Sequence, residues 1–208
     1  LYRDEYIVDT IFIGGGTPSV LEPEYTEQIL NAVRESFNIA DTCEITIETN
    51  PGTLSRQKLS AYRKCGINRL SIGVQSLNDE VLEILGRIHS VREFEDNFAL
   101  ARELGFDNIN MDLMFAVPGA TESIWKETLE HAIALSPEHI SFYSLQIEDG
   151  TPFAKMYEEG ILEEIPDDTD RKMYREAAKL LCRSGYVHYE ISNAAKPGFM
   201  SQHNLKYW

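Results

Sequence analysis

Three consecutive glycines, Gly14–Gly16, directly follow a short apolar run from Thr10 to Ile13. The apolar run is typical of a buried β-strand. Glycines in a row give up side-chain packing and cost conformational entropy on folding. Pro18 then fixes the exit, and Thr17, as the residue before a proline, favours an extended backbone. The stretch therefore indicates either a tight strand-to-helix turn or a place where a ligand approaches the backbone closely.

The composition excludes several classes of partner. The chain has 208 residues and a net charge of −15, from 19 basic and 34 acidic residues. This charge opposes docking on nucleic acid or on an anionic membrane surface, so an anionic ligand must be met by local positive charge. No run of 18 apolar residues occurs, which predicts no transmembrane segment. The length suits one domain, residues 1–208, around one sizeable core.

The cysteines indicate a reducing compartment. Cys43, Cys65 and Cys182 are odd in number, far apart, and form no Cys-x-x-Cys pair. This pattern predicts a cytoplasmic protein with neither a disulfide framework nor a local metal site, and with buried structural thiols. The chain starts at Leu1 rather than Met and carries no signal segment, so we expect a piece of a longer protein.

Strand-like and helix-like segments alternate along the chain. The predicted strands are Thr10–Ile13, Cys43–Thr49, Arg69–Val74, Asn108–Met114 and His139–Ser144, with a last extended run at Val187–Ile191. The predicted longer helices are Pro23–Phe37, Ser55–Cys65, Asn78–Leu85, Val91–Leu104, Glu122–Leu135 and Asp168–Ser184. Five βα units at this spacing predict an α/β fold whose parallel sheet curves like a barrel, with helices outside. The chain has no second glycine fingerprint of the Gly-x-Gly-x-x-Gly type and no Walker motif. Nucleotide-binding folds of those two types are therefore disfavoured.

Each predicted strand carries polar groups where it ends. These groups are Gly14-Gly15-Gly16-Thr17, Glu48-Thr49-Asn50, Gly73-Val74-Gln75-Ser76, Asp112, and Tyr143 with Gln146. Singly, they have simpler explanations: Asn50-Pro51-Gly52 is a turn signal, Ser76 or Asn78 can cap a helix, and Asp112 can accept from a backbone amide. In parallel α/β folds, however, ligands bind at the carboxyl ends of the strands. Together, the five ends predict a binding site.

The side chains at these ends suggest the chemistry of the ligand. Glu48 and Asp112 suit hydroxyl and ammonium groups, which donate hydrogen bonds to carboxylates, and Arg87 can hold a carboxylate in a bidentate pair. An amino acid joined to a ribose presents all three kinds of group.

Five spaced motifs resemble one known family. They are Gly14-Gly15-Gly16-Thr17-Pro18, Glu48-Thr49-Asn50-Pro51, Gly73-Val74-Gln75-Ser76, Leu85-Gly86-Arg87-Ile88-His89 and Asp112-Leu113-Met114. In this order they resemble the radical S-adenosylmethionine domain of oxygen-independent coproporphyrinogen III oxidases and of their haem-chaperone relatives. The resemblance implies a cofactor-binding set for S-adenosylmethionine: Gly15, Gly16, Thr17, Glu48, Gln75, Arg87, Asp112 and Gln146.

The resemblance also implies a fold and a missing part. The fold is the open (βα)6 partial barrel, of which this chain holds units two to six and the start of a connection to a C-terminal domain. The first unit, whose Cys-x-x-x-Cys-x-x-Cys loop ligates a [4Fe-4S] cluster, has no counterpart in the sequence. Because the three cysteines lack this spacing, we expect the cluster only in the intact protein and no redox activity from this chain alone.

The end of the chain resembles the haem-chaperone branch. His203-Asn204-Leu205-Lys206-Tyr207-Trp208 matches a sequence that this branch associates with haem binding, which implies His203 as a haem ligand. An imidazole can ligate haem iron, aromatic rings can stack on the macrocycle, and Lys196 and Lys206 can meet the propionates. The alternative is a packing and hydrogen-bonding cluster without a ligand.

Three functions stay open on the sequence alone. The first is haem binding and transfer, which requires a haem acceptor protein. The second is an enzyme that oxidatively decarboxylates two propionates of coproporphyrinogen III through a 5′-deoxyadenosyl radical and needs an electron donor. The third is a barrel enzyme whose glycine loop holds a phosphate, but no basic residue stands beside that loop. No catalytic residue can be named.

Overall fold

The computed structural model describes residues 5–163 and 165–207. In this part, strands form one sheet in the order β1-β2-β3-β4-β5-β7-β6. The first five strands run parallel, and β7 pairs antiparallel with both β5 and β6. The strands are β1 Ile7–Ile13, β2 Asn38–Thr49, β3 Arg69–Gln75, β4 Ile109–Phe115, β5 His139–Ser144, β6 Val187–Glu190 and β7 Asn193–Ala195.

Helices connect the parallel strands, as the alternating pattern predicted. They are α1 Pro23–Ser36, α2 Arg56–Lys64, α3 Asp79–Ile84, α4 Val91–Glu103, α5 Glu122–Leu135, α6 Pro152–Glu158 and α7 Asp167–Arg183, with short 3-10 turns at Pro18–Val20 and Asn204–Tyr207. Side chains fix several starts: Asn78 caps α3, and Ser90 and Glu93 form a reciprocal capping box on α4. The predicted capping by Asn78 is therefore confirmed.

Two parts of the sheet differ from the prediction. β2 begins at Asn38 because its first residues pair with the start of β1, before a register shift between Val8 and Thr10. Those early residues are largely exposed and show no apolar run, so no sequence pattern predicted them as a strand. The last extended run folds back as an antiparallel hairpin, and β7, only three residues long, was not predicted.

The two faces of the sheet differ in chemistry. On β2 to β5, alternate residues such as Ile47, Leu70 and Met111 pack under the helices in the apolar core. The residues between them are polar and buried, among them Arg69 and Asn110. This period of two places the core outside the strands and leaves a polar interior on the concave side.

Some expectations about single residues are corrected. Cys43 is buried and Cys65 half-buried, but Cys182 is exposed, so the prediction of a buried thiol is wrong there. Cys182 lies on the solvent-exposed face of α7. Within the described residues, no helix combines the length and apolarity that a bilayer crossing requires.

The burial of α1 gives a stability prediction with a built-in control. Leu30 is 0% exposed in the core, whereas its neighbour Ile29 is 43% exposed. Leu30→Ala is expected to lower the free energy of unfolding by about 2–5 kcal/mol, because it leaves a cavity. Ile29→Ala is expected to change it by about 0.5 kcal/mol or less. Urea denaturation of both variants measures the difference, and equal losses would contradict the packing described.

Candidate functional site

A cavity of about 270 Å³ opens at the carboxyl ends of the parallel strands. It is lined by six predicted site residues, Gly16, Thr17, Glu48, Gln75, Arg87 and Asp112, and by Pro18, Thr49, Asn50, Ser71, Gly73 and Tyr143. Residues spread over more than a hundred positions thus converge, because parallel strands all end at the same edge of the sheet. That these residues contact a cofactor stays a prediction.

The glycine loop needs its glycines for two different reasons. Gly15 and Gly16 have positive φ values of +90° and +63°, which L side chains rarely adopt, and the space where a Cβ would stand is open. At Gly14, by contrast, a Cβ would lie 2.9 Å from Glu48 Oε2 and 3.0 Å from Phe12 Cε1. The tight turn is therefore present, and open space adjoins its backbone.

The end of β2 ties this loop in place. The Gly15 backbone N–H donates to Glu48 Oε2 at 3.1 Å, and the Asn50 side-chain amide donates to Thr17 Oγ1 at 3.0 Å. Burial raises the pKa of Glu48; the hydrogen bond from Gly15 opposes this shift, and the charge of Asp112 adds to it. Asn50, one of the polar residues predicted at the end of the second strand, lines the cavity as well.

The end of β3 is crowded by polar side chains. A Cβ at Gly73 would lie 2.7 Å from Asn50 Oδ1 and 3.1 Å from Gln75 Nε2, so only glycine lets both side chains lie across the strand. Gln75 itself has a φ of +67°, unusual for a residue with a side chain. Its Oε1 accepts a hydrogen bond from the Tyr143 hydroxyl at 3.1 Å.

Tyr143 is a site residue that the sequence did not single out for a role. Its position at the end of the fifth strand was the only signal. Burial, together with the charge of Asp112, raises its pKa to about 12, so the hydroxyl remains a donor at neutral pH.

Arg87 and Asp112 bring opposite charges to the cavity. Burial lowers the pKa of the Arg87 guanidinium, which nonetheless stays protonated as arginines do. Within residues 5–163 and 165–207, no carboxylate forms a salt bridge with Arg87. Burial also raises the pKa of Asp112, against hydrogen bonds led by that from Asn110. Arg87 is thus positioned to pair with a carboxylate that the chain does not supply.

Gln146 lies apart from the other predicted site residues. It is exposed and lines a second cavity, together with Pro118, Ser144 and Asp170. β5 ends at Ser144, and Gln146, two residues further on, does not line the first cavity. The structure therefore does not bring Gln146 together with Glu48, Gln75, Arg87 and Asp112.

His203 packs against the start of the sheet. Its ring stacks on Phe12 with 5.0 Å between centroids, and Tyr207 meets it edge-on at 5.7 Å. Its Nδ1 lies 3.1 Å from Thr10 Oγ1, and its backbone N–H donates to Glu44 Oε1 at 3.1 Å. The packing and hydrogen-bonding cluster is therefore present, and Nε2 has no hydrogen-bond partner among the described residues. Trp208, part of the predicted motif, lies outside them.

Both lysines assigned to propionates have partners on this chain. Lys196 Nζ donates to the Ser136 carbonyl at 2.7 Å and lies 3.3 Å from Glu138 Oε1. Lys206 Nζ lies 2.5 Å from Asp9 Oδ2. Both side chains therefore have partners among the described residues, and their contact with propionates stays a prediction.

A family model, described as the Radical SAM superfamily, matches residues 1–132. The chain belongs to the radical SAM superfamily. It is 42% identical over 202 residues to the heme chaperone HemW of Escherichia coli (strain K12), covering 97% of this chain and 52% of that protein. It is 39% identical over 199 residues to HemW of Lactococcus lactis subsp. lactis (strain IL1403), covering 96% and 52%.

A solved structure gives the same result for the fold. The radical SAM enzyme coproporphyrinogen III oxidase (HemN) from Escherichia coli superposes with a TM-score of 0.81 at 28% identity, over 92% of this chain and 44% of that one. The resemblance and the open half-barrel fold inferred from the sequence are confirmed. The radical SAM chain spans about half the length of the curated relatives it matches.

Membership of the superfamily implies S-adenosylmethionine and a [4Fe-4S] cluster as cofactors. The first cavity fits the former, because it offers an open glycine loop, a guanidinium without an ion-pair partner and two carboxylates. The cluster does not fit the residues described here. No group of three His, Cys, Asp or Glu side chains among them has metal-binding geometry.

The raised pKa of Glu48 gives a prediction for stability against pH. Its folded-state pKa lies above its ordinary value of 4.5, so the folded chain holds this proton more tightly than the unfolded chain. The resulting stability is fully present below about pH 4.5 and is lost as the pH rises through the folded pKa. Glu48→Gln removes this loss. Urea denaturation across the acid range is expected to show a smaller decline for the variant, and parallel curves would contradict the shift.

Proposed function

We propose that this radical SAM chain is the S-adenosylmethionine-binding core of a cytoplasmic haem chaperone. The observation that carries the proposal is the single cavity on which Glu48, Gln75, Arg87 and Asp112 converge beside the glycine loop. Identities near 40% with proteins named heme chaperone HemW support the haem part. A haem acceptor protein and an electron donor complete the proposal, and neither can be named from this chain.

Different residues of the cavity bind different groups of the ligand. The Arg87 guanidinium pairs with the carboxylate of the methionine part, since no side chain of the described residues neutralises it. The Glu48 and Asp112 carboxylates accept from the ammonium and ribose hydroxyl groups. The backbone at Gly15 and Gly16 leaves room for the ligand beside the loop. In the superfamily, the cofactor supplies one-electron chemistry at its sulfonium when it is bound with a cluster.

Affinity for S-adenosylmethionine tests the first half of the proposal. Arg87→Lys keeps the charge but loses the planar bidentate geometry, so we expect binding about tenfold weaker. Arg56→Lys is the matched control, because Arg56 forms an exposed surface pair with Glu103. Isothermal titration calorimetry measures both. A wild-type protein that does not bind S-adenosylmethionine, or equal affinities for the two variants, would count against the assignment.

His203 is the proposed haem ligand. Its Nε2 is not engaged by the described part of the chain, while Phe12 and Tyr207 place aromatic surface beside the ring. Because Lys196 and Lys206 are paired with carboxylates, iron ligation and ring stacking carry the binding rather than propionate charge.

Haem titration tests the second half. His203→Ala is expected to weaken haem binding by at least about tenfold, because an axial ligand is removed. The Soret absorbance measures the amount of haem bound. His188→Ala is the control, since His188 also packs on aromatic rings, those of Phe142 and Tyr174. Equal haem affinity in wild type and His203→Ala would remove His203 from the proposal.

The similarity to HemN keeps one alternative function. An oxygen-independent coproporphyrinogen III oxidase would decarboxylate two propionates of its substrate. An assay for decarboxylated porphyrin, run on the same preparation as the haem titration, separates the two. Product formation together with haem affinity that does not depend on His203 would favour the oxidase.

A further inference from the structure

The carboxylate of Asp112 accepts hydrogen bonds from Asn110 and Ser71, and Ser141 lies close to it as well. Asn110 Nδ2 donates to Asp112 Oδ1 at 2.7 Å, and Ser71 Oγ donates to Asp112 Oδ2 at 3.2 Å. The same Asn110 Nδ2 also donates to Ser71 Oγ at 2.8 Å. The amide nitrogen of Asn110 therefore faces Asp112, and its Oδ1 faces the other way as an acceptor.

The orientation of Asn110 determines the tautomer of His139. His139 Nδ1 lies 2.6 Å from Asn110 Oδ1, which has no proton to donate, so Nδ1 carries the hydrogen. His139 is fully buried at the start of β5. Burial, with the charge of Arg69, lowers its pKa well below the ordinary value and keeps the ring neutral. Its Nε2 is therefore an acceptor.

The donor to Nε2 is the hydroxyl of Tyr189, on β6. The two atoms lie 2.8 Å apart. Burial raises the pKa of Tyr189, while hydrogen bonds to the backbone of Ser201 and the side chain of Asn204 oppose the shift. Because the neutral Nε2 can only accept, the tyrosine hydroxyl donates its proton to His139. The three hydrogen bonds, from Tyr189 to His139, from His139 to Asn110 and from Asn110 to Asp112, all run in one direction. We call this series the relay.

We propose that Tyr189, His139 and Asn110 are positioning residues that hold the Asp112 carboxylate as an acceptor towards the cofactor cavity. The proposal rests on the proposed function, because it takes S-adenosylmethionine as the ligand of that cavity. If His139 carried its hydrogen on Nε2, two acceptors would face each other at Asn110. The amide would then turn and present Oδ1 to Asp112, where two oxygens repel. His139 thus supports the orientation of Asn110 together with Ser141, whose hydroxyl also donates to Asn110 Oδ1, and Ser71, whose Oγ accepts from Asn110 Nδ2.

The segment that carries the proposed haem ligand borders the same polar interior. Asn204, next to His203 in sequence, lines one cavity together with Asn110 and Asp112. The two halves of the proposed function therefore share this interior.

Nitrogen NMR of the histidine rings tests the relay without any ligand. In the full-length protein labelled with ¹⁵N-histidine, His139 is expected as a neutral ring with its proton on Nδ1, assigned by the signal that His139→Gln removes. Tyr189→Phe takes away the donor to Nε2, and we expect the His139 Nε2 signal to shift as this hydrogen bond is lost, while Nδ1 keeps its hydrogen because Asn110 Oδ1 still accepts it. A wild-type His139 protonated on Nε2 or on both nitrogens would overturn the relay.

Calorimetry with S-adenosylmethionine tests the consequence for binding. Tyr189→Phe is expected to weaken affinity about fivefold, the effect of one disturbed hydrogen bond. Tyr186→Phe is the matched control, because it also removes a buried hydroxyl, one that donates to the Pro137 carbonyl at 2.7 Å outside the relay. Tyr186→Phe is expected to change the affinity less than about twofold.

The outcomes separate this proposal from the proposed function. Equal affinities of the two tyrosine variants, in a protein that binds S-adenosylmethionine, would overturn the relay and leave the cavity assignment standing. A wild-type protein that does not bind the cofactor would overturn the cavity assignment, and the His139 spectrum would still decide whether the directional chain of hydrogen bonds exists.

Discussion

The polar interior of the half-barrel is the constraint on which the rest of this structure depends. Alternate residues of β2 to β5 face inward, and there the sequence places groups such as Glu44, Arg69, Asn110 and His139 instead of aliphatic side chains. Buried polar groups must be hydrogen-bonded, because each one left without a partner costs about 1–3 kcal/mol. The inward groups therefore form hydrogen-bonded clusters, one around Asn110 and one around Glu44, and their geometry determines which atoms are presented at the mouth.

Some buried polar atoms of the interior have no hydrogen-bond partner among the described residues, and two of them border the cavities. Arg69 is 2% exposed and its Nε has no partner among the described residues, as is also true of Asn193 Oδ1. Both residues line a cavity of about 270 Å³ that shares Glu48 and Asp112 with the proposed cofactor site. Carboxylates with raised pKa values and a left-handed Gln75 reduce stability in the same place. Strain and unfavourable burial concentrated at one mouth are typical of a site built for a ligand.

The sequence predicts the features that depend on neighbouring residues, and it does not predict those that depend on tertiary contacts. Apolar runs and caps identified the five parallel strands, and parallel topology then brought Glu48, Gln75 and Asp112 to one edge. Side-chain partners depend on the tertiary structure, so the pairing of Lys196 with Glu138 could not be read from its neighbours in sequence. Gln146 lines a different cavity from the other predicted residues, and nothing in the sequence after Ser144 gave the direction of the chain there. His139 looked like an ordinary strand start, and its contacts with Asn110 and Tyr189 arise from residues 29 and 50 positions away.

The segment after β7 acquires its importance from the same interior. Glu44 accepts hydrogen bonds from the Gln202 and His203 backbone N–H groups, both at 3.1 Å, and so holds the segment inside the half-barrel. Asn204, in the same segment, lines a cavity together with Asn110 and Asp112. A ligand that engaged His203 would therefore act on a segment that Glu44 holds in place and that borders the proposed cofactor site. If such a ligand changed the affinity for the cofactor, the cofactor would change the affinity for that ligand by the same factor, because binding linkage is reciprocal.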